Sequence, residues 1–184
     1  MERKIKEFKA GEKPRDLASV LLADEKCGYG KLSMAAIYED GRLIIGAGSE
    51  TATGALTGAL FYLHTYPRVL AKLRTILDAT FTNGDEDYVY SFTHQIPYID
   101  DIITELFRIQ SPVADGLPRL TPKEGLVIDD IFIPGDVVVH VPIWVIQRQE
   151  MYYKKTEEFI PERWSDQPEL VKDKRAYMPF GLGL

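Results

Sequence analysis

The segment that most constrains the fold is residues 34–64, which contain no proline and consist mainly of apolar or small side chains. Because proline breaks a helix interior, this composition predicts one long helix that begins at Ser33. Each glycine in a helix interior costs about 1 kcal/mol relative to alanine, so glycines here indicate close approach of another group rather than helix stability. The glycines of the segment are Gly41, Gly46, Gly48, Gly54 and Gly58.

An acid and an alcohol lie side by side in this helix, within Ala47-Gly48-Ser49-Glu50-Thr51. A buried carboxylate without a partner is costly, and a threonine hydroxyl that bonds the carbonyl one turn earlier can loosen a helix. Three interpretations stay open. In the first, Glu50 faces solvent and Gly48 is a packing contact, whereas in the second the helix is distorted where it crosses a flat cofactor. In the third, residues 43–63 span a membrane, at a cost of roughly 2.5–3.5 kcal/mol for Glu50 at mid-bilayer.

Shorter elements follow the long helix. Pro67 ends it, and apolar residues at helical spacing from Val69 to Leu77 predict an amphipathic helix. Residues 82–90 are predicted to be a loop, and Pro97 opens a further helix that continues to Phe107. Short β-branched runs at residues 127–128, 131–133 and 137–141 predict a small antiparallel sheet.

The fold class is therefore predicted to be mainly α with a small antiparallel β-sheet (α+β). We expect a single partial domain rather than several domains. Its parts are a charged segment (1–15), a helical part (16–111) with a short helix starting at Asp16, a sheet region (112–150) and an irregular segment (151–184).

A glutamate and an arginine three residues apart, Glu105 and Arg108, lie on one face of the predicted helix, where they can pair. The spacing alone is weak evidence, since Glu39 and Arg42 show it too. Only the helix around Glu105 is rich in isoleucine and leucine, so this pair is predicted to be buried. Arg163, between large apolar residues, is predicted to complete a three-member ionic cluster.

Charge and cysteine content exclude some classes of function. The formal net charge is −6, and the basic residues near the start alternate with acidic ones, which argues against nucleic-acid binding. Cys27 is the single cysteine, so no intrachain disulfide and no cysteine-rich metal site is expected, and an intracellular protein fits this composition. The charged residues 1–12 predict neither a secretory signal peptide nor an N-terminal membrane anchor.

These motifs occur in the order found in cytochrome P450 monooxygenases, and the chain resembles that family, in the style of its filamentous-fungal members. The segment from Ala47 to Thr51 resembles the oxygen-activation motif of the central helix, and Glu105-Leu106-Phe107-Arg108 resembles the Glu-x-x-Arg motif. Pro161-Glu162-Arg163-Trp164 resembles the segment that completes the Glu-Arg-Arg triad. Pro179-Phe180-Gly181-Leu182-Gly183 is similar to the opening of the haem-binding loop. The resemblance implies a partial P450 fold, from the long central helix to just before the haem-ligand cysteine.

The resemblance also implies haem as cofactor, O2-dependent hydroxylation or oxidation of a small organic molecule in secondary metabolism, and a reductase as redox partner. Thr51 becomes the hydroxyl that steadies dioxygen, Glu50 the acid that supplies protons, and Glu105, Arg108 and Arg163 the structural triad. For Arg119, a haem-propionate contact and a solvated turn arginine are alternatives. The implied cofactor-binding residues are Ala47, Gly48, Arg119, Phe180, Gly181 and Gly183, and the implied substrate-pocket residues are Gly46, Val113, Ala114 and Leu117.

The family's axial cysteine, whose thiolate promotes O–O cleavage, would be the third residue beyond Leu184. Cys27 lies 20 residues before Ala47 and is a poor substitute. We therefore expect a chain truncated at both ends relative to the family, without the N-terminal helix that often anchors its members to the endoplasmic reticulum. Gln147 and Gln149 also stand where relatives often have histidine and aspartate.

Two functions remain open from the sequence. The chain is either a fragment of a haem-thiolate monooxygenase that is inactive alone, or a non-catalytic module that binds a partner or complements another chain. Helices left without their usual neighbours expose apolar surface, which favours association.

Overall fold

A computed structural model describes residues 33–87, 89–93 and 95–182. The helix predicted from Asp16, the single cysteine Cys27 and the loop residue Gly183 lie outside these residues. The chain divides into two compact units, Met1–Thr53 and Gly54–Leu184, and the division falls within the first described helix.

Helix α1 spans Met34–Thr65 and is the long helix predicted from the absence of proline. The Ser33 hydroxyl caps its start by accepting a hydrogen bond from the Ala36 amide at 3.2 Å. The helix ends before Pro67 because a proline disfavours the helical conformation of the residue that precedes it. Among the described helices, none is long and apolar enough to cross a membrane, which contradicts the interpretation of residues 43–63 as a membrane span.

Three further helices follow: α2 spans Pro67–Thr80, α3 spans Tyr90–Thr93 and α4 spans Pro97–Ile109. Both α2 and α4 begin with a proline, which is favourable at the first helical position, where a backbone N–H would have no intrahelical partner. The prediction of a plain loop over residues 82–90 was wrong in part. A 3-10 turn, Gly84–Glu86, and the first residue of α3 lie within that segment.

The core of the second unit lies where α4 meets α2 and the segment around Phe159. The apolar positions of α4 recur three or four residues apart, so they form one face of the helix. Each side chain of this size contributes roughly 1.5–3 kcal/mol when it is fully buried. Tyr62 stacks on Phe159 with ring centroids 5.0 Å apart. The buried members of the cluster are Val69, Tyr98, Ile102, Leu106, Ile109 and Phe159.

In the described part of the chain, four short strands form two separate antiparallel pairs: β1 (Arg119–Leu120), β2 (Leu126–Ile128), β3 (Ile131–Ile133) and β4 (Val138–Val139). Strand β1 pairs with β4, and β2 pairs with β3. The prediction of one small sheet is therefore corrected to two small sheets. The strand at Arg119 was missed because a strand of two residues is too short to show an alternation of apolar and polar side chains. Antiparallel pairing itself is confirmed.

Thr121 lies between β1 and β2 along the chain, at the point where one strand pair gives way to the other. Its hydroxyl donates to the Pro134 carbonyl at 2.8 Å and accepts from the Val137 amide at 3.0 Å. Gly135 lies so close to the backbone at Lys123 that an added Cβ would be 2.0 Å from the Lys123 carbonyl oxygen. This close approach requires a glycine.

Beyond the strands, α5 (Ile143–Ile146) is a single helical turn. The chain then continues through three 3-10 turns, Pro161–Trp164, Pro168–Leu170 and Lys174–Ala176. An isolated bridge joins Tyr153 to Val171. These turns bring Arg163 and its neighbours against α4.

Candidate functional site

The Glu105 carboxylate is fully buried and accepts five hydrogen bonds. Its Oε1 atom accepts from Arg108 Nη2 at 2.9 Å, from Arg163 Nε at 2.9 Å and from the Ile160 amide at 3.0 Å. Its Oε2 atom accepts from Arg108 Nε at 2.9 Å and from Trp164 Nε1 at 3.0 Å. Because a carboxylate offers about four lone-pair positions, its hydrogen-bonding capacity is fully used.

The two guanidinium groups of this cluster are also buried, with Arg108 0% and Arg163 1% exposed. Burial lowers the pKa of Arg163, and the adjacent Glu105 carboxylate opposes this shift. Backbone carbonyls accept hydrogen bonds from the guanidinium N–H groups that do not bond to the Glu105 carboxylate. The cluster therefore fastens α4 to the segment that follows α5. These carbonyls belong to Gln147, Lys154, Lys155, Thr156 and Glu158.

Burial separates this Glu-x-x-Arg pair from the other described one. Glu39 and Arg42 bond at 3.0 Å, but their side chains are 69% and 78% exposed. The structure therefore brings together Glu105, Arg108 and Arg163 in one buried cluster. Trp164 was missed as a fourth side chain of the cluster, although a buried indole N–H usually needs a partner.

A second charge cluster lies on the other side of the Pro161–Trp164 turn, and sequence analysis missed it as well. The buried Glu162 carboxylate accepts from Arg68 Nη1 at 2.8 Å, from Lys72 Nζ at 3.3 Å and from the Tyr98 hydroxyl at 2.9 Å. Burial alone would raise the pKa of Glu162, but the hydrogen bonds from Arg68 and Tyr98 outweigh it and hold the pKa at about 2. The partners are 64 to 94 residues away in sequence, so no local pattern could have revealed them.

The acid and alcohol of α1 lie in the first unit, where both Glu50 and Thr51 are exposed. The Thr51 hydroxyl donates to the Ala47 carbonyl at 2.8 Å. Its hydrogen is therefore committed to the helix, and its oxygen is left as an acceptor. An added Cβ at Gly46 or Gly48 would meet no atom within 4 Å.

A cavity of about 230 Å³ lies in the second unit, beside the loop that follows Met178. Of its nine lining residues only Arg119 carries a charge, and the Arg119 guanidinium donates to the Pro118 carbonyl at 3.1 Å. The structure thus places the predicted residues Leu117, Arg119 and Gly181 on one cavity. The lining residues are Gly116, Leu117, Arg119, Val141, Ile143, Ile146, Met178, Gly181 and Leu182.

Three other predicted residues lie near this cavity without lining it. Phe180 packs edge-on against Phe107, with ring centroids 5.6 Å apart. Val113 and Ala114 are partly buried, and the Ala114 carbonyl accepts from the Trp144 amide at 2.9 Å. Among the residues that the structure describes, no group of three His, Asp or Glu side chains is arranged to hold a metal ion.

Comparison with known proteins gives one consistent family. The sequence profile described as Cytochrome P450 matches residues 1–184. The chain is 40% identical over 172 residues to the cytochrome P450 monooxygenase eupD of Phoma sp., covering 92% of this chain and 59% of that protein. It is 36% identical to the cytochrome P450 monooxygenase sthD of Phaeosphaeria nodorum, covering 100% of this chain and 38% of that protein.

A third relative is the tryprostatin B 6-hydroxylase of Neosartorya fischeri. The identity is 38% over 144 residues, covering 78% of this chain and 26% of the relative. The chain thus spans less than two thirds of the length of each of these relatives.

Proposed function

This chain belongs to the cytochrome P450 family, and on that premise we propose that it forms part of a haem-dependent monooxygenase. The proposed reaction is O2-dependent oxidation of a small organic molecule, with a reductase supplying electrons. Family membership implies haem as the cofactor.

The observation that carries the proposal is the hydrogen bond that the Thr51 hydroxyl donates to the Ala47 carbonyl. Since the hydroxyl donates its hydrogen to this carbonyl, its oxygen can accept a hydrogen bond from a group outside the helix. Glu50 places a carboxyl beside it, and the neighbouring glycines leave the helix surface open. A general acid relay requires an acid group and a hydrogen-bonding partner within reach of the same reacting group.

The residues around the cavity fit the chemistry of haem. An apolar wall with a single guanidinium, that of Arg119, suits a flat apolar ring that carries carboxylates. The volume of about 230 Å³ is below the roughly 300–1,000 Å³ of ordinary ligand pockets, so the cavity would receive only part of a porphyrin. In this proposal Gly181 contacts the ring, Arg119 binds a propionate and Leu117 contacts the substrate.

When bound, haem would supply the oxygen chemistry, because a cysteine thiolate on its iron donates electron density that favours O–O cleavage. The residues of this chain would then serve proton transfer and positioning. In this proposal the Glu50 carboxyl relays protons from solvent, and the Thr51 Oγ1 oxygen accepts a hydrogen bond where they are delivered. The Glu105 cluster, far from solvent, has no part in proton transfer and fastens α4 in place.

The first test of the proposal is the absorption spectrum of the full natural protein with haem, reduced under carbon monoxide. We expect the Soret band of a thiolate-ligated ferrous haem. A band typical of histidine-ligated haem, or no haem uptake, would contradict the proposed function.

The second test compares Thr51→Ala with Thr51→Ser and with Thr57→Ala, an exposed threonine of the same helix. Tryprostatin B serves as the probe substrate, because a relative is named as its 6-hydroxylase. With NADPH and a reductase, Thr51→Ala should lower product formation roughly 10²-fold or more and divert electrons to hydrogen peroxide. Thr51→Ser and Thr57→Ala should keep the wild-type ratio of product to peroxide, and a loss in Thr57→Ala equal to that in Thr51→Ala would count against the relay.

A second function is favoured by the apolar surface of the second unit. Leu56, Leu60 and Phe61 on α1 are 68%, 72% and 61% exposed, which suits a non-catalytic module that binds a partner. Co-purification of the 184-residue chain with a defined partner, together with no haem uptake by the full natural protein, would favour this function over the monooxygenase.

A further inference from the structure

Gln147 is fully buried and uses its whole amide group for hydrogen bonds. Its Nε2 donates to the Phe107 carbonyl at 3.0 Å and to the Arg108 carbonyl at 3.3 Å. Its Oε1 accepts from the Met178 amide at 3.0 Å. One side chain therefore joins the end of α4 to the segment around Met178, which lies 31 residues beyond Gln147.

These bonds complete the hydrogen bonding of the last turn of α4. The last four carbonyls of a helix have no partner within it. The Leu106 carbonyl accepts from the Gln110 amide, and the Ile109 carbonyl accepts from Arg148 Nη2 at 3.0 Å. The two carbonyls that remain are those bonded by Gln147.

The Gln147 hydrogen bond to Met178 is one tether of loop 178–182. A second tether holds the next residue of this loop, Pro179. The Ser111 hydroxyl, just beyond α4, is buried and donates to the Pro179 carbonyl at 2.6 Å. Loop 178–182 is thus held at two successive residues, Met178 through its N–H and Pro179 through its carbonyl. Past these points the Gly181 amide bonds back to the Met178 carbonyl at 2.9 Å, which closes a turn.

Loop 178–182 and helix α5, which ends just before Gln147, form two walls of one cavity. Ile143 and Ile146 of α5 line it on one side, and Met178 and Gly181 line it on the other. We propose that Gln147 is a positioning residue that fixes the distance between these walls. Its relevance to haem binding rests on the proposed function, while the tether itself does not.

The chemistry of the site explains why a glutamine is suited to it. The position demands two donated bonds and one accepted bond, and a primary amide offers both. A neutral histidine offers one donor and one acceptor, and methionine, which has a similar length, offers no donor. Loss of the amide leaves without partners the buried Arg108 carbonyl and the partly buried Phe107 carbonyl and Met178 N–H, which favours local opening.

The test is amide hydrogen exchange of the full chain, comparing Gln147→Met with wild type. Gln149→Met is the matched control, since Gln149 is exposed and two residues away. We expect exchange in loop 178–182 to be about tenfold or more faster in Gln147→Met and unchanged in Gln149→Met. Amides in the middle of α2 should keep their wild-type rates.

Two further variants keep the proposal open to refutation if Gln147→Met does not fold. Gln147→His should give an intermediate rate in the loop, because it restores one donor and one acceptor, and Ser111→Ala should accelerate the same loop through the second tether. Exchange that rises equally in the loop and in α2, or a loop rate in Gln147→His equal to wild type, would overturn the proposal.

The exchange comparison needs no haem. A protein that shows the expected loop rates but no thiolate-type haem spectrum would retain the tether and lose the proposed function. The opposite result would retain the proposed function and remove the tether.

Discussion

At the scale of single residues, the Glu105 carboxylate compensates two buried guanidinium groups, those of Arg108 and Arg163. A buried ion pair adds little net stability compared with apolar residues, because taking charges out of water is costly. Removing one partner is different, since the charges left behind remain buried. The cluster therefore contributes to stability mainly through the cost of breaking it.

We predict that Glu105→Gln lowers the free energy of unfolding by about 3–5 kcal/mol, because it leaves two buried cations without their counter-charge. Chemical denaturation measures this loss. Glu39→Gln is the matched control, since Glu39 pairs with Arg42 at the same spacing but in solvent. It should cost no more than about 1 kcal/mol, and equal costs in the two variants would contradict the argument from burial.

The Glu162 carboxylate gives a pH dependence whose sign follows from its pKa. The folded pKa of about 2 lies below the ordinary value of 4.5, so folding favours the ionised form. The stability that it contributes is fully present above pH 4.5 and is lost as the pH falls from 4.5 towards 2. Glu162→Gln should lower the free energy of unfolding near neutral pH and flatten its decline over that window.

Denaturation of the two proteins across this pH range measures the difference. The control is Glu169→Gln, because Glu169 is exposed on the next 3-10 turn and should leave the wild-type slope intact. A Glu162→Gln protein whose stability declined as steeply as wild type would show that Arg68 and Tyr98 do not hold this carboxyl ionised.

At the scale of elements, the glycines of α1 differ in what surrounds them. An alanine at Gly54 would meet no atom within 4 Å, whereas a Cβ at Gly58 would be 2.4 Å from Gln110 Oε1 and 3.1 Å from Leu106 Cδ1. The close approach predicted for these glycines is thus found at Gly58, where α1 meets the end of α4. Gln110 also donates to the Gly54 carbonyl at 3.3 Å.

We predict that Gly54→Ala raises the free energy of unfolding by about 1 kcal/mol, the helix preference of alanine over glycine. Gly58→Ala should fall short of that gain, because Gln110 has to move and Leu106 has to adjust. Thermal and chemical unfolding of both variants against wild type measures the difference. Equal gains in the free energy of unfolding at the two positions would show that the contact with Gln110 does not oppose a side chain at Gly58.

At the scale of the whole molecule, the chain spans 59%, 38% and 26% of three relatives' lengths. The described part exposes large apolar side chains, among them Leu56, Leu60 and Phe61 of α1. Leu56 and Leu60 are four residues apart, so they lie on one face of the helix and form a continuous patch. Patches of this kind favour association in water.

The 184-residue chain should therefore self-associate with increasing concentration, and Leu60→Lys should weaken that association about tenfold or more, because burial of one leucine is lost. Sedimentation velocity measures the change. Thr57→Lys adds the same charge at an exposed polar position and should have little effect. A monomer at all concentrations, or equal effects of the two lysines, would contradict the role of the patch.

The sequence by itself determined what depends on neighbours along the chain. The absence of proline gave α1, the adjacency of Glu50 and Thr51 placed an acid beside an alcohol, and three-residue spacing put Glu105 and Arg108 on one helix face. Local steric rules and helical periodicity are sufficient for these features.

Only the tertiary structure decided which groups from distant segments are buried together. Arg163 and Trp164 reach Glu105 across 58 and 59 residues, β1 pairs with β4 rather than joining one sheet, and Gln147 bonds a loop 31 residues away. Such partners are chosen because each buried polar group must find a hydrogen bond somewhere in the fold. The partners that meet this requirement are neighbours in space, so a local pattern in the sequence does not show which residues they are.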